Sequence, residues 1–308
     1  MPTFSAFSRR DFASVVSCAP MLLASTSIAA LLAAVPARAG QTIVNQTVPS
    51  VTNPVGQSTT SIIIINSTVT GAVVNAGTIT PGSALGGLGI SVANSTIGAG
   101  ITNTNAINVS GTGGAVGIAV SGATITGGIS NSGTITANGP NAIAAGANVI
   151  ANGIEVANAS TVTGGIVSAG TIIANEPNVV PMGAIAALFG IEVANQSTVS
   201  GGVVNAGTIT LSGQATFGSA IAVRGASTVS GGIMNTGTVN VSAAKSGVGI
   251  VVIGSSASGG VSNSGSINAN STFAAGIVFE HDARVAVLVG FGARKRIGKR
   301  TPRWQRDE

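Results

Sequence analysis

The stretch Ser197–Thr210, STVSGGVVNAGTIT, contains no charged and no aromatic residue, and it returns along the chain in nearly the same form. Each return has an anchor residue, with one apolar residue two positions before it and another four positions after it. The anchors are Asn75, Asn103, Asn131, Ser168, Asn205, Asn235 and Asn263, separated by 28, 28, 37, 37, 30 and 28 residues. A period of about 20–50 residues indicates an architecture in which each repeat stacks on the next.

Within each copy, apolar residues alternate with small polar residues, and this period of two predicts β-strands rather than helices. Glycine and asparagine divide the strands into short segments, because both adopt turn conformations at low cost. A second block, such as GIEV at Gly153 and at Gly190, precedes each copy, so that one period holds about three segments. One copy cannot bury its apolar side alone, whereas stacked copies can. The sequence therefore predicts an all-β fold, a parallel β-helix (β-solenoid) of about seven rungs.

Stacking in register places equivalent residues in columns about 4.8 Å apart. We expect isoleucine and valine to point inward, and serine, threonine and asparagine to point outward. The anchor asparagines should stack at a turn and hydrogen-bond along their column, while glycine permits the corners. The two longer periods carry insertions, Asn138–Asn152 and Asn175–Phe189. We expect these insertions to leave the stack as loops or to add a short strand.

Charged residues make up only 7% of the chain, where about 25% is usual. Between Gly40 and Phe279 the charged side chains are Glu155, Glu176, Glu192, Arg224 and Lys245. The body of the protein is therefore close to neutral and lacks the basic surface of a nucleic-acid-binding protein.

The first 39 residues have the parts of an export signal in their usual order. Arg9 and Arg10 precede an apolar run, and Ala37-Arg38-Ala39 forms a small-residue cleavage pattern, so the sequence predicts a signal peptide helix over residues 1–39. Ser8–Phe12 also resembles the twin-arginine motif, which leaves general secretion and twin-arginine export both open. Cys18 is the only cysteine and should leave with this segment, so the mature chain has no disulfide and no thiolate metal site.

These patterns divide the chain into four parts. A signal peptide covers residues 1–39, an N-terminal cap of the solenoid covers 40–66, the β-helix repeats cover 67–279, and a basic tail covers 280–308. The tail contains eight basic and four acidic residues, so the composition changes abruptly at Glu280.

The order of these parts and the STVTGGI(V)NxGTI-type repeats resemble the passenger region of bacterial autotransporters, which are adhesin-like surface proteins. The resemblance implies a right-handed β-helix, export, and a C-terminal outer-membrane β-barrel that acts as translocator. Such a barrel needs at least about eight strands of about 10 residues, which the tail is too short to supply. We therefore expect a truncated or frameshifted passenger, exported to the cell surface, outer membrane or extracellular space if a translocator is supplied, and periplasmic otherwise.

The resemblance implies a structural or adhesive protein that is not an enzyme and needs no cofactor. Its expected partners are the translocator, host or bacterial surface glycans, and further copies of the chain, with no nucleic acid. The alternative is a carbohydrate-active β-helix enzyme, a lyase or hydrolase, which rests on fold analogy. Only the column of Glu155 and Glu192 could support it, and we interpret both residues as outward strand positions. Lyases of this kind also need clustered aspartates for calcium, and residues 40–279 contain no aspartate.

The remaining candidate sites have simpler interpretations, so the sequence predicts no catalytic, cofactor-binding or metal-binding residue. We interpret His281-Asp282 as a solvated pair, because one histidine without further ligands makes no metal centre. The glycine-rich stretch Gly111–Gly117 lies among β repeats, with no helix following to bind a dinucleotide. Thr-x-Thr arrays such as Thr78–Thr80 are typical of ice-binding lattices, but four of the seven rungs interrupt this one. The basic run Arg294–Arg300 with Trp304 is not interpreted as a nucleic-acid or lipid contact.

Overall fold

The computed structural model describes residues 40–81, 87–243, 245–285 and 288–291, and in these ranges the protein is a parallel β-helix of 35 strands. Two predicted features lie outside the described residues: the signal peptide over residues 1–39, with Cys18 and the twin-arginine-like segment, and the basic run Arg294–Arg300 with Trp304. Strands of successive coils pair in parallel and in chain order within four sheets, which we name A, B, C and D.

Sheets A, B and C each have nine strands and sheet D has eight. Sheet A contains β1 (Gln41–Val44), β5 (Ile62–Ile65), β9 (Gly87–Ala93), β13 (Ala115–Ser121), β17 (Asn148–Ala157), β21 (Ile185–Val193), β25 (Phe217–Arg224), β29 (Ser246–Ile253) and β33 (Phe273–Glu280). Sheet B contains β2 (Thr47–Val48), β6 (Thr68–Val69), β10 (Thr96–Ile97), β14 (Thr124–Ile125), β18 (Thr161–Val162), β22 (Thr198–Val199), β26 (Thr228–Val229), β30 (Ser256–Ala257) and β34 (Arg284–Val285).

Sheet C contains β3 (Val51–Asn53), β7 (Val73–Asn75), β11 (Ile101–Asn103), β15 (Ile129–Asn131), β19 (Ile166–Ser168), β23 (Val203–Asn205), β27 (Ile233–Asn235), β31 (Val261–Asn263) and β35 (Leu288–Phe291). Sheet D contains β4 (Ser58–Thr59), β8 (Thr78–Ile79), β12 (Ala106–Ser110), β16 (Thr134–Asn138), β20 (Thr171–Glu176), β24 (Thr208–Gly213), β28 (Thr238–Ala243) and β32 (Ser266–Ala269). One strand from each sheet, in the order A to D, makes one coil.

The core is a set of apolar columns inside these coils, as the alternating pattern predicts. In sheet A, one column joins fully buried isoleucines in successive coils: Ile90, Ile118, Ile154, Ile191, Ile221 and Ile250. In sheet D, Ile209 pairs with Ile172 and Val239, and all three are buried. Burial of each such side chain contributes about 1.5–3 kcal/mol, so the inward columns are the main stabilising feature.

Each of the first eight coils has four strands rather than the three segments expected from the sequence. The segment STVSGGV (Ser197–Val203) was expected to form one segment of the coil, but it contains all of β22 and the start of β23, with a corner at Gly201-Gly202 between them. Gly202 has a φ of 85°, a left-handed conformation that L-residues with side chains rarely adopt. A chain that turns at this point must start a new sheet, which explains the fourth strand.

The stack contains more coils than the seven anchors indicate. Residues 41–59, within the expected cap, form β1–β4, which pair in register with the strands of the second coil. At the other end, β34 and β35 continue sheets B and C beyond Phe279, into the segment assigned to the basic tail. The terminal coils were not counted because their repeats match the anchor pattern poorly.

The two insertions form loops at the corner between sheets D and A, as expected. Residues 139–147 and 177–184 are loops, and the following strands β17 and β21 are lengthened to 10 and 9 residues. The loops also contact each other: the side-chain nitrogen of Asn178 donates to the carbonyl of Pro140, and the amide of Ile185 donates to the carbonyl of Ala147. The insertions therefore stack on one another, and we refer to the two loops, residues 139–147 and 177–184, as the lateral projection.

The anchor asparagines form the expected ladder along sheet C. The Nδ2 of Asn53, Asn75, Asn205 and Asn235 each donates to the Oδ1 of the next asparagine at 2.6–2.7 Å, and Asn103 donates to Asn131 at 2.8 Å. Ser168 interrupts this ladder. Its hydroxyl accepts from Asn131 at 3.2 Å, but the buried Oδ1 of Asn205 in the next coil has no partner.

Replacing Ser168 with asparagine should therefore stabilise the protein. The new amide would donate to the orphaned Oδ1 of Asn205, and an unsatisfied buried acceptor costs about 1–3 kcal/mol. We expect the free energy of unfolding to rise by about 1 kcal/mol in urea denaturation followed by circular dichroism. Ser168→Ala is the matched control and should have the opposite effect, because it leaves Asn131 without its acceptor. A destabilised S168N protein would show that the column cannot hold an asparagine at this coil.

Candidate functional site

The long strands of sheet A bend at a position that glycine occupies in most coils. In β17 this residue is Gly153, and the pairing with β21 passes from Asn152 directly to Ile154. A Cβ atom on Gly153 would approach Cγ2 of Ile172 to 2.3 Å, so the inner side of the bend has room only for glycine. Residues three apart in a flat strand point to opposite faces, yet Nδ2 of Asn152 donates to Oε2 of Glu155 at 3.0 Å. The bend thus brings two outward columns of sheet A together.

Three of the five charged side chains between Gly40 and Phe279 meet at this bend. Glu155 and Glu192 are direct register partners on β17 and β21. Nδ2 of Asn152 bridges the two carboxylates, with a second hydrogen bond to Oε2 of Glu192 at 2.9 Å. Nε of Arg224, on β25, forms an ion pair with Oε1 of Glu192. We refer to Asn152, Glu155, Glu192 and Arg224 as the carboxylate cluster.

Apolar side chains pack around the carboxylate cluster on the same outer face. The rings of Phe189 and Phe217 are 5.8 Å apart and tilted by 55°, and both are buried. The guanidinium carbon of Arg224 lies 5.5 Å from the centre of the Phe189 ring, a favourable cation–π distance. Ala222, Val248, Val251 and Ile253 extend this second apolar cluster along the rod. As a result the exposed fraction of Glu192 is only 1%, whereas Glu155 is half-buried.

The two carboxyl groups differ in their surroundings. The pKa of Glu155 is raised from 4.5 to about 7, first by burial and second by the negative charge of Glu192, while the hydrogen bond from Asn152 and the charge of Arg224 oppose the rise. Glu192 has the ion pair with Arg224 to stabilise its charge. Two adjacent carboxyl groups in such different surroundings, one with a raised pKa and one paired with a guanidinium, resemble the arrangement used in general acid–base chemistry.

Asn152 carries an unusual unsatisfied group. Its side chain is fully buried, its Nδ2 serves both carboxylates, and its Oδ1 has no hydrogen-bond partner. Buried polar atoms without partners are rare in native proteins and call for an explanation. Here the orphaned atom is an acceptor, and it belongs to the amide that bridges the two carboxyl groups.

The sequence placed Glu155 and Glu192 correctly in one column and at outward strand positions, since Ile154 and Val156 are fully buried in the main core. The alternating pattern did not indicate that Glu192 is itself buried, 1% exposed, on the outer face. Nor did it single out Asn152, Phe189 and Arg224 as neighbours of the two carboxyl groups. The available signal was compositional, because a charged or aromatic side chain in a repeat of small neutral residues marks a special position.

The other candidate residues lie apart from this cluster. His281 and Asp282 are both exposed in a turn, as expected for a solvated pair. Gly111–Gly114 is a turn that leads into strand β13, so no helix follows the glycine-rich stretch, as the sequence predicted. Thr78 and Thr80 flank the buried Ile79 on sheet D.

A longer threonine column, which the sequence analysis missed, lies on sheet B. It joins Thr47, Thr68, Thr96, Thr124, Thr161, Thr198 and Thr228 without interruption. The signal was present in the sequence as the recurring S-T-V/I that precedes the glycine pair. This column is part of the polar lateral surface, and it contains no titratable side chain.

A second buried carboxylate anchors the lateral projection. Glu176 is 1% exposed, its Oε1 accepts from the amide of Asn178 at 3.0 Å, and burial raises its pKa while the hydrogen bonds from Asn178 oppose the rise. Its carboxylate lies against Gly139 of the neighbouring insertion, where a Cβ atom would come within 1.8 Å of Oε2. Glu176 therefore has a structural role in holding the two loops together.

Comparisons with known proteins found no matching family model, no matching curated protein and no matching solved structure. Within the residues that the structure describes, no group of three or more histidine, cysteine, aspartate or glutamate side chains is placed to hold a metal ion. In the same ranges, no helix has the length and apolar character required to cross a lipid bilayer.

Proposed function

We propose that the protein is an exported structural or adhesive protein, a β-helical passenger that acts by presenting its lateral surface to other molecules. The observation that carries this proposal is the character of that surface. On the first eight coils, the outward positions of sheets B, C and D hold mainly serine, threonine and asparagine, with some apolar residues such as Val167 and Met234, and no exposed charged side chain. Hydroxyl and amide groups on a rigid, neutral face suit hydrogen bonding to hydroxyl-rich glycans or to further copies of the chain.

The lateral projection supports the same proposal. Among the described residues, Met182 is 96% exposed and Val179 is 76% exposed, and both lie in the loop that Glu176 anchors. Large apolar side chains held in solvent on a fixed loop are typical of contact sites. The projection therefore adds an apolar contact point to a polar rod.

The experiment is surface display. The mature chain from Gly40 to Glu308 is fused to the membrane domain of an unrelated autotransporter, and intact cells are labelled from outside and tested for aggregation and for glycan binding. We expect labelling and at least one of the two binding activities. The chain from Met1 expressed without the fusion should remain periplasmic and begin at Gly40 by N-terminal sequencing.

A displayed variant with Val179→Ser and Met182→Ser is the matched control for the projection. It should be displayed as well as the parent but bind or aggregate less, because it loses only exposed apolar contacts. Display without any binding would argue against an adhesive role. Labelling of the unfused chain on intact cells would argue against the need for a supplied translocator.

A carbohydrate-active enzyme is the second candidate, and one observation favours it. Glu155 and Glu192 are adjacent carboxyl groups with different environments, as acid–base pairs in glycoside hydrolysis are. The burial of Glu192 opposes it, because a substrate must reach both groups. The test is incubation with a panel of polysaccharides. Release of products by the wild type but not by Glu155→Gln would support the enzyme. No release from any polysaccharide would leave the structural role as the only candidate.

A further inference from the structure

The carboxylate cluster draws charged groups from three neighbouring strands. Glu155 lies on β17, Glu192 on β21 and Arg224 on β25, while the register partner of Glu155 on β13 is Ala119, and that of Glu192 on β25 is Ala222. Strand β20 ends at Glu176, whose carboxylate accepts from Asn178 in the insertion instead. The described groups facing Glu155 are therefore one carboxylate, one guanidinium and the amide of Asn152.

Arg224 is the one cation of the carboxylate cluster, which contains two carboxyl groups. The Arg224 contact is made to Glu192, and Nδ2 of Asn152 donates to both glutamates. When both glutamates are ionised, the cluster has a net charge of −1 in a setting lined by Phe189 and Phe217, where an uncompensated charge is costly. A proton on Glu155 removes that charge and creates an O–H donor beside its register partner Glu192, whose carboxylate can accept.

We propose that the carboxylate cluster is a proton-operated switch: a proton on Glu155 closes the cluster against Phe189 and Phe217, and its loss in mildly alkaline solution releases the Glu155 side chain toward solvent. Glu155 is the moving group because it is half-buried and already borders solvent, whereas the ion pair and burial hold Glu192 in place. Release of Glu155 breaks its hydrogen bond to Asn152 and loosens the outer face of sheet A. This property is independent of the adhesive role.

The direction of the pH effect follows from proton linkage. The pKa of Glu155 is about 7 in the folded protein against an ordinary 4.5, so the folded state binds the proton more tightly than the unfolded chain. The resulting stabilisation is complete below pH 4.5, is lost as the pH rises to about 7, and changes no further above that. The shift corresponds to an upper limit of about 300-fold in the folding equilibrium constant, reduced in practice by the partial exposure of Glu155.

The first test is the pH dependence of stability in the mature chain from Gly40 to Glu308. Urea denaturation between pH 4.5 and 8.5 should show the wild type losing tenfold or more in its folding equilibrium constant relative to Glu155→Gln. Glutamine mimics the protonated form of Glu155, so this variant should fold and should lack the part of the pH dependence of stability that comes from Glu155. Glu176→Gln is the matched control, because it removes a buried carboxyl outside the carboxylate cluster and should keep the pH-dependent component that comes from Glu155. Equal pH profiles for the wild type and E155Q would overturn the proposal.

The second test detects the proton and the movement directly. The mature chain has five glutamates, so ¹³C NMR of side-chain carboxyl groups can follow Glu155 individually, and we expect it to titrate near pH 7. Hydrogen exchange measured by mass spectrometry, corrected for the intrinsic pH effect, should become faster above pH 7 in segments 148–157 and 185–193 of the wild type but not of E155Q. Titration of Glu155 near pH 4.5 would overturn the switch, and so would hydrogen exchange that becomes equally fast above pH 7 in the wild type and in E155Q. The NMR titration needs only the wild type, so it decides the question even if E155Q does not fold.

Discussion

Replacing Ile209 with aspartate is expected to unfold the protein or nearly so. The Ile209 side chain is fully buried in sheet D between Ile172 and Val239 of the adjacent coils. The substitution removes about 2–5 kcal/mol of apolar packing and places a carboxylate in a column with no partner for its charge. The sum is of the order of the whole stability of a typical domain, about 5–15 kcal/mol. Urea denaturation and far-UV circular dichroism of the mature chain measure the loss.

Thr208→Asp is the matched control, because Thr208 precedes Ile209 on the same strand but points outward and is half-buried. Its cost should stay below about 1 kcal/mol, as for most surface substitutions. Similar losses for the two variants would contradict the inward and outward assignment of sheet D. A folded, stable I209D protein would contradict the parallel stacking itself.

Replacing Arg224 with methionine is expected to have the second-largest effect. Arg224 pairs with the buried Glu192 and lies over Phe189. Methionine keeps part of the packing but leaves Glu192 beside Glu155 without a cation, and breaking a buried ion pair in this way costs about 3–5 kcal/mol. The loss should be greater at pH 8 than at pH 5, because the pKa of Glu155 is raised to about 7 and a proton on Glu155 lowers the uncompensated charge at the lower pH.

Two further variants separate the ion pair from a general loss of positive charge. Lys245→Met removes an exposed cation and should change the free energy of unfolding by less than about 0.5 kcal/mol. The double variant Arg224→Met with Glu192→Gln should recover part of the lost stability, because no uncompensated charge remains at residue 192. A double variant less stable than R224M would show that the cost lies in packing rather than in charge.

The fold could be predicted from the sequence because stacking repeats the same local requirements in every coil. Ile79, Ile107 and Ile135 occur at equivalent positions and lie in one buried column, so the alternation of apolar and polar residues determines which face points inward. The asparagine ladder could be predicted for the same reason, since stacked asparagine side chains need only a constant register from coil to coil. The right-handed sense of the β-helix and the autotransporter relationship remain predictions.

The count of strands and coils was less predictable. A strand of two residues, such as Thr198–Val199, is too short to show a period, and the corner at Gly202 depends on backbone conformation. The terminal coils lack full copies of the repeat, so their place in the stack follows from pairing with a neighbour rather than from their own sequence. Asn53, for example, completes the ladder only because Asn75 lies beside it.

The sequence by itself determined the solenoid, its inward columns and the register that places Glu155 beside Glu192. Only the tertiary structure decided that Glu192 of this pair is buried, that Arg224 forms an ion pair with it, and that Asn152 joins the two carboxyl groups. The physical reason is the bend at Gly153: a strand pattern tells which face a side chain occupies, but whether that face is open to water depends on how the sheet curves. Side chains 32 and 40 residues apart along the chain, Arg224 with Glu192 and Glu192 with Asn152, meet only after the coils have stacked.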